Sequence, residues 1–311
     1  MFDTLNFWLS SDYLTTDCYK DIAGRLSRVK EAIDVDTGAV KITGSFSNYH
    51  ATLNAQGLFL TGSLSKFYFG ENQSSLSRST TKDAIQMLSD SLYIPLEHAD
   101  VKRIDIACNL PMRHEIPAYY PCLGNSRNYR RLEQNNGIYY NNHKKQMVFY
   151  GKLHEQKIKQ VPVLPVFQGC RLLRYELRYT KRLLDQFNIH EIKPGMLTDE
   201  AFYIKLLNRW KDEYFKIYRH KLLTFKPDIM NSTKAFEQQL MVMGLQAMGG
   251  EAQALQLIEQ AKLQGIFENK MQAKRIKDKV KDLCNMPGCT EQNELIEELD
   301  KKIKEAVMFY R

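Results

Sequence analysis

No apolar run in this chain approaches the roughly 20 residues that a membrane-spanning helix needs, so no span is expected. Nor does a basic segment precede an apolar one after Met1-Phe2-Asp3-Thr4, so no secretory signal is expected. Cysteine is sparse. Six thiols lie scattered at 18, 108, 122, 170, 284 and 289, a pattern that argues against a disulfide framework and suits reduced thiols in a cytoplasm. Cys284 and Cys289 resemble half a zinc site, but no second cysteine pair or nearby histidine completes it. Internal repeats and low-complexity segments are also missing, which excludes a repeat array.

Positive charge is in surplus: 44 Lys and Arg stand against 36 Asp and Glu, for a formal charge of +8. A basic soluble protein of this size often meets a polyanion, although net charge does not separate nucleic acid from a membrane surface. At 311 residues, two domains are the natural expectation.

Leu5, Phe7 and Leu9 alternate and read as an opening strand over 4–9. Tyr19, Ile22, Leu26 and Val29 have helical spacing over 17–32. Short strand-like runs follow between Val40 and Phe69, broken at Gly44, Gly57 and Gly62. The last of them leads into Gly62-Ser63-Leu64-Ser65-Lys66-Phe67-Tyr68-Phe69. That run is a nucleic-acid edge if its aromatics stack bases and Lys66 meets phosphate, and plain sheet core otherwise. Ser79-Thr80-Thr81 caps a helix predicted to run to about Tyr93.

Three strand-like stretches carry polar residues where a core strand has no need of them. Over 101–110, Arg103, Asp105, Ala107 and Asn109 share one face opposite Ile104, Ile106 and Cys108. An acid in so apolar a strand is costly unless paired or bound to a cation; an Arg103–Asp105 ion pair and metal ligation both answer that cost. Residues 135–155 read as a hairpin, Gly137–Tyr140 and Gln146–Lys152 flanking an Asn- and Lys-rich turn. Its second strand is expected to place Gln146, Val148, Tyr150 and Lys152 on one face, with Gly151 leaving open backbone beside the tyrosine. Over 170–179, Arg174, Glu176 and Arg178 oppose Leu173, Tyr175, Leu177 and Tyr179. The two arginines make an ion-pair ladder with Glu176 or hold it as a metal ligand within a phosphate-binding surface.

Composition changes near Lys193-Pro194-Gly195. Helices are predicted over 199–223, 233–248, 251–264, 269–284 and 291–309, with breaks at Pro227, Gly249-Gly250, Gly265 and Pro287-Gly288. The fourth aligns Lys270, Lys274, Lys277 and Lys281 in a stripe that is either a solvated face or a second DNA contact; Ile276, Val280 and Leu283 lie on its other side.

Carboxylates supply the hard oxygen ligands that suit Mg²⁺ or Mn²⁺, and a metal stabilises charge developing on phosphate. Tyrosine is a poor nucleophile until a cation favours its phenolate. Two acids, a metal and a tyrosine therefore suit transesterification, in which the phosphodiester is kept as a covalent link.

The succession Arg103-Ile104-Asp105-Ile106-Ala107, then Phe149-Tyr150-Gly151-Lys152 with Glu155, then Arg174-Tyr175-Glu176-Leu177-Arg178 resembles the rolling-circle replication initiators of the filamentous-phage gene II type. More distantly it is similar to the Rep-trans initiators of staphylococcal plasmids and to relaxases. The resemblance spans about residues 40–190, and the run at 62–67 fits it. It implies that Tyr150 nicks one DNA strand and stays joined to the 5′-phosphate, that Lys152 faces the scissile phosphate, and that Asp105 and Glu176 serve a Mg²⁺ or Mn²⁺ site. His154 and Glu155 are further candidate ligands. It also implies origin DNA, double- and single-stranded, as partner in a bacterial cytoplasm, with Lys66, Arg103, Arg174 and Arg178 as DNA contacts; host helicase and polymerase are further candidate partners. None of the seven histidines forms a His-x-His pair, so the acidic version of the metal site is expected. No second tyrosine lies at helical spacing from Tyr150, which suggests one nucleophile, with Tyr139 and Tyr140 as stacking or packing residues.

The expected fold is α+β: a nuclease domain on a central antiparallel sheet, residues 1–193, followed by an all-helical domain, 194–311. A conjugative relaxase with the same chemistry, and a non-catalytic sequence-specific DNA-binding protein, are the alternatives.

Overall fold

The computed structural model describes residues 1–220, 222–223, 232–286, 290–291 and 293–311. The chain opens on β1 (Phe2–Ser10), whose buried Leu5, Phe7 and Leu9 follow the expected alternation. Helix α1 (Thr16–Arg25) is capped by Thr15 and stops well before Ala32. The residues after it form β2 (Ser27–Ile33), with Arg28 in the left-handed region at φ 51°. Helical spacing is misleading here because Val29 and Ile33 extend along β3 (Val40–Phe46) instead of winding. The strands β4 (Tyr49–Asn54) and β5 (Gly57–Ser63) complete a meander.

Ser63 then caps the short helix α2 (Leu64–Phe69), which Gly70 ends in the left-handed conformation at φ 78°. The run at 62–69 is thus a strand end and a helix. Phe67 packs against Phe46 and Tyr49, while Lys66 stays exposed. Helix α3 (Arg78–Leu92) has its capping box at Ser77 and Thr80, ahead of the predicted cap. It buries Ala84, Leu88 and Leu92.

The long strand β6 (Asp100–Met112) is followed by β7 (Leu123–Ser126), β8 (Arg130–Gln134), β9 (Gly137–Asn141) and β10 (Lys145–Gly151). Next come α4 (Lys152–Ile158), β11 (Arg171–Tyr179), α5 (Leu183–Phe187) and α6 (Glu200–Phe215). Ten strands form one sheet in the order β2-β3-β4-β5-β1-β6-β11-β10-β9-β8, and each neighbouring pair is antiparallel. Charged residues occupy both edge strands, Arg28, Lys30 and Glu31 on β2 and Arg130, Arg131 and Glu133 on β8, which discourages edge-to-edge pairing. Helix α6 lies against the apolar face of the central strands. There Phe149 stacks on Tyr175 at 4.4 Å, Trp210 lies 4.7 Å from Tyr175, and the Tyr175 hydroxyl donates to the Trp210 carbonyl. With that face filled by aromatic rings, the polar residues of β6, β10 and β11 turn to the other one.

The helix predicted over 199–223 ends at Phe215. Residues Ile217–Arg219 (β12) pair with β7, and Leu222–Leu223 (β13) pair with Thr290–Glu291 (β14). Both pairings join segments far apart in the chain, which local helical periodicity cannot register. Helices α7 (Thr233–Ala247), α8 (Gly250–Leu263) and α9 (Lys270–Cys284) lie within one residue of the expected bounds, whereas α10 (Glu294–Tyr310) starts three residues late because Glu291 pairs in β14. The breaks at Pro227 and Pro287-Gly288, and Cys289, lie outside the described residues. Val242, Leu245, Ala254, Ile258, Val280, Leu283 and Cys284 form a common core, whereas Ile276 is exposed.

The chain divides into two compact units, one of residues 1–113, 128–216 and 303–311, the other of 114–127 and 217–302. This division differs from a boundary at 193/194, because α6 belongs with the sheet it covers.

Candidate functional site

Register brings the three polar strand faces together. Across β10 and β11, Tyr150 lies opposite Arg174 and Val148 opposite Glu176; across β11 and β6, Glu176 lies opposite Ala107 and Arg178 opposite Asp105. Directly opposed residues share a face, so Tyr150, Glu176 and Asp105 all lie on the side away from α6.

The Tyr150 hydroxyl donates to Glu176 Oε1 at 2.8 Å. The same oxygen accepts Arg174 Nε at 2.6 Å, and Oε2 accepts Arg178 Nε at 2.7 Å. Arg178 also reaches Asp105 at 4.0 Å and donates to Gln146 Oε1 at 2.8 Å. Asp105 takes a two-pronged contact from Arg103, 2.8 Å to Oδ1 and 2.7 Å to Oδ2. The acids are buried, as is Arg174, which is only 2% exposed. Besides Glu176, Arg174 contacts the Asn72 carbonyl at 3.0 Å, Asn109 Oδ1 at 3.2 Å and Asp3 Oδ2 at 2.9 Å. Acid and base alternate along a line: Asp3, Arg174, Glu176, Arg178, Asp105, Arg103. Three carboxylates meet three guanidiniums, so the ladder is formally neutral.

The two expected metal-site acids are pushed apart. Burial drives the Asp105 carboxyl up to about 6 against the pull of Arg103. Burial also acts on Glu176, but Arg174 and Arg178 outweigh it and hold that carboxyl down at about 2. Burial raises the Tyr150 phenol well above its ordinary range; Arg174 opposes the shift and Glu176 adds to it. Tyr150 therefore rests as a neutral hydroxyl aimed at a carboxylate.

Lys152 does not extend the Tyr150 strand. It is the first residue of α4, since Gly151 ends β10, opposite Leu173, and serves as the helix N-cap. The Lys152 side chain is buried and donates to Glu155 Oε2 at 2.8 Å; burial, then nearby Arg174, lowers its pKa. Glu155 also pairs with Lys159, and His154 contacts Asn136 at 3.2 Å. Gly137, across from Tyr150, is where backbone room is needed: a Cβ there would stand 2.3 Å from the Phe149 carbonyl oxygen. Tyr140 is buried edge-on to Phe149, on the core side, and Tyr139 pairs with Val148.

The expected DNA contacts separate into two kinds. Arg103 and Arg178 keep side-chain exposures of 30% and 25%, and Lys66 is exposed. Arg174 is corrected from surface contact to buried hub, because Asp3, Glu176, Asn72 and Asn109 take its donors. On α9, Lys274 and Lys281 are exposed and Lys277 pairs with Glu259; the Lys270 side chain lies outside the described residues.

A divalent ion would need open carboxylate oxygens. Asp105 and Glu176 give both of theirs to arginines, and among the described residues no three His, Cys, Asp or Glu side chains gather as a metal site. As these side chains stand, they do not fit the ion.

Several residues of the site gave no local signal. Alternation from Leu5 places Asp3 among the apolar positions of β1, but the register with β6 shifts between Phe2 and Leu5 and Asp3 sits in that irregularity. Ser63 donates to Asp3 Oδ1 at 2.6 Å. Gln73 ties two loops together, accepting from Leu164 N and donating to the Pro162 carbonyl, while its own carbonyl accepts from Asn109. Gln156, one turn beyond Lys152, is buried with neither amide atom paired.

No helix among the described residues is long and apolar enough to cross a membrane. No curated protein matches the chain. The model of a phage replication-associated protein family, the N-terminal part of the gene II protein, matches residues 1–212. That span contains all ten strands of the large sheet and the whole ladder. With more than half its length matched, the chain belongs to the filamentous-phage gene II family of replication-associated proteins.

Proposed function

We propose that this protein initiates rolling-circle replication by nicking and rejoining one strand of origin DNA through Tyr150. The observation that carries the reading is the 2.8 Å hydrogen bond from the Tyr150 hydroxyl to Glu176, on the face where the three motifs meet. In the proposed step the phenolic oxygen attacks the scissile phosphorus, a Tyr–O–P bond forms, and the P–O3′ bond breaks. Glu176 takes the phenolic proton, and the departing 3′-oxygen acquires one from water. The 5′-phosphate stays on the enzyme until a 3′-hydroxyl reverses the step.

Charge on the resting ladder opposes that step, since a carboxylate held near 2 is a weak base. A phosphodiester drawing Arg178 and Arg103, the two partly exposed arginines, would relax their hold on Glu176 and Asp105. The guanidinium fork suits phosphate as well as it suits carboxylate. A requirement for Mg²⁺ or Mn²⁺ stays within the proposal on the resemblance alone, and it needs the same arginines to move.

The test is adduct formation. Single-stranded oligonucleotides tiling the encoding replicon, labelled at the 3′ end, are incubated with the protein and run on SDS gels. A labelled band at the mass of protein plus downstream fragment is expected. A second reading, a non-catalytic DNA-binding protein, is favoured by one observation: every carboxylate of the ladder is already paired. Retarded complexes on native gels with no SDS-stable band on any oligonucleotide would establish it. A conjugative relaxase would give the same adduct on a transfer origin.

A further inference from the structure

We propose that Asp3 is a positioning residue for the nicking reaction, acting through Arg174 to hold Glu176 against the Tyr150 hydroxyl. The inference rests on Tyr150 as the nucleophile. Asp3 is 7% exposed, and both its oxygens are used, one by Ser63 Oγ at 2.6 Å and one by Arg174 Nη2 at 2.9 Å. Arg174 in turn gives Nε to Glu176, and the oxygen it holds is the one that accepts Tyr150. A chain of side chains therefore runs from the end of β5, through the irregular start of β1, to the nucleophile.

Two considerations separate this from ordinary packing. A buried ion pair stabilises a fold no better than apolar side chains of similar size, so strand stability does not call for one in β1. The guanidinium is also planar and rigid, and all its sides are engaged: Asp3 on Nη2, Asn72 and Asn109 on Nη1, Glu176 on Nε. Such a fork cannot tilt at one contact without shifting the others. Removing the Asp3 charge breaks the ion pair and leaves one amide oxygen where two carboxylate oxygens served Ser63 and Arg174, so the fork is held less firmly and can turn at Glu176. Displacements of about 1 Å at a reacting group cost on the order of 100-fold in rate.

The experiment compares wild type, Asp3→Asn, Ser63→Ala, Ser63→Thr and Tyr150→Phe on the 3′-labelled single strand that gives the adduct. Single-turnover adduct rate, oligonucleotide affinity and the circular dichroism melt are read for each. Asp3→Asn is expected to slow the adduct step at least 10-fold with oligonucleotide Kd within twofold. Ser63→Ala is expected to slow it less, and Ser63→Thr, which keeps the hydroxyl, to restore it. A folded Asp3→Asn variant at wild-type rate overturns the inference, as does a rate loss matched by an equal loss of affinity. Should Asp3→Asn fail to fold, Ser63→Ala decides, and a wild-type rate there overturns it. An adduct persisting in Tyr150→Phe overturns the nucleophile and this inference together, whereas loss in Tyr150→Phe with an unaffected Asp3→Asn overturns this inference alone.

Discussion

Replacing Tyr150 with Phe removes one oxygen from a site whose other contacts stay in place. The lost interaction is the 2.8 Å hydrogen bond to Glu176 Oε1. That oxygen keeps Arg174 Nε at 2.6 Å, and Oε2 keeps Arg178, so the carboxylate is not orphaned. A hydrogen bond to a charged acceptor contributes about 1.5–3 kcal/mol, and one whose acceptor remains satisfied sits at the low end. A cost of about 1–1.5 kcal/mol is therefore expected, lowering the melting midpoint by only about 3–5 °C. Oligonucleotide affinity should hardly change, because the ring stays in place and Arg103 and Arg178, the partly exposed cations, remain. Adduct formation should instead vanish, since no oxygen is left to bond phosphorus. Trapping wild type on 3′-labelled oligonucleotide and digesting it should place the nucleotide on the peptide containing Phe149-Tyr150-Gly151-Lys152. An adduct in the Phe variant, or a label on the peptide with Tyr139 and Tyr140, would refute the assignment.

Other perturbations probe other parts of the molecule. Gly137→Ala drives a Cβ to 2.3 Å from the Phe149 carbonyl oxygen and 2.9 Å from Tyr150 Cβ, so it should destabilise by about 2–3 kcal/mol and slow nicking, read by denaturant titration and adduct rate. Glu213 is buried and accepts hydrogen bonds from Lys145, Lys216 and Tyr129, which together outweigh burial and hold it below its ordinary 4.5. A depressed carboxylate contributes stability that is present above 4.5 and lost as pH falls through its folded value; Glu213→Gln should flatten that acid limb of the melting midpoint against pH. Excess EDTA should stop nicking, and Mg²⁺ or Mn²⁺ should restore it; full activity in EDTA would remove the cation from the proposal. Glutamine at Lys270, Lys274, Lys277 and Lys281 should weaken binding of origin duplex, and lessen its salt dependence, more than it slows nicking of a short single strand; unchanged duplex affinity would make the stripe a solvated face.

Alternation along the chain was enough, by itself, to mark β1, β6, β10 and β11, because each puts an apolar set on one face that packs as core, and β6, β10 and β11 put a polar set on the other that needs partners. The same logic placed Asp105, Tyr150 and Glu176 on polar strand faces, and the helical period located α7 to α10. Periodicity says nothing about which strand lies beside which. That β11 sits between β6 and β10, and β1 between β5 and β6, is decided by pairings between residues far apart in the chain. Those pairings turned Asp105, Glu176 and Tyr150 into one site, drew Ile217–Arg219 out of a helix and onto β7, and left 27–33 as an edge strand. They also changed what individual charges do. Arg174 reads as a surface cation in the sequence and is a buried hub in the fold, because Asp3 comes from a strand irregularity that no alternation records. A side chain's chemical type is written in the sequence, but its partner is settled only when distant segments share the same low-dielectric space, where an unpaired charge is too costly to remain.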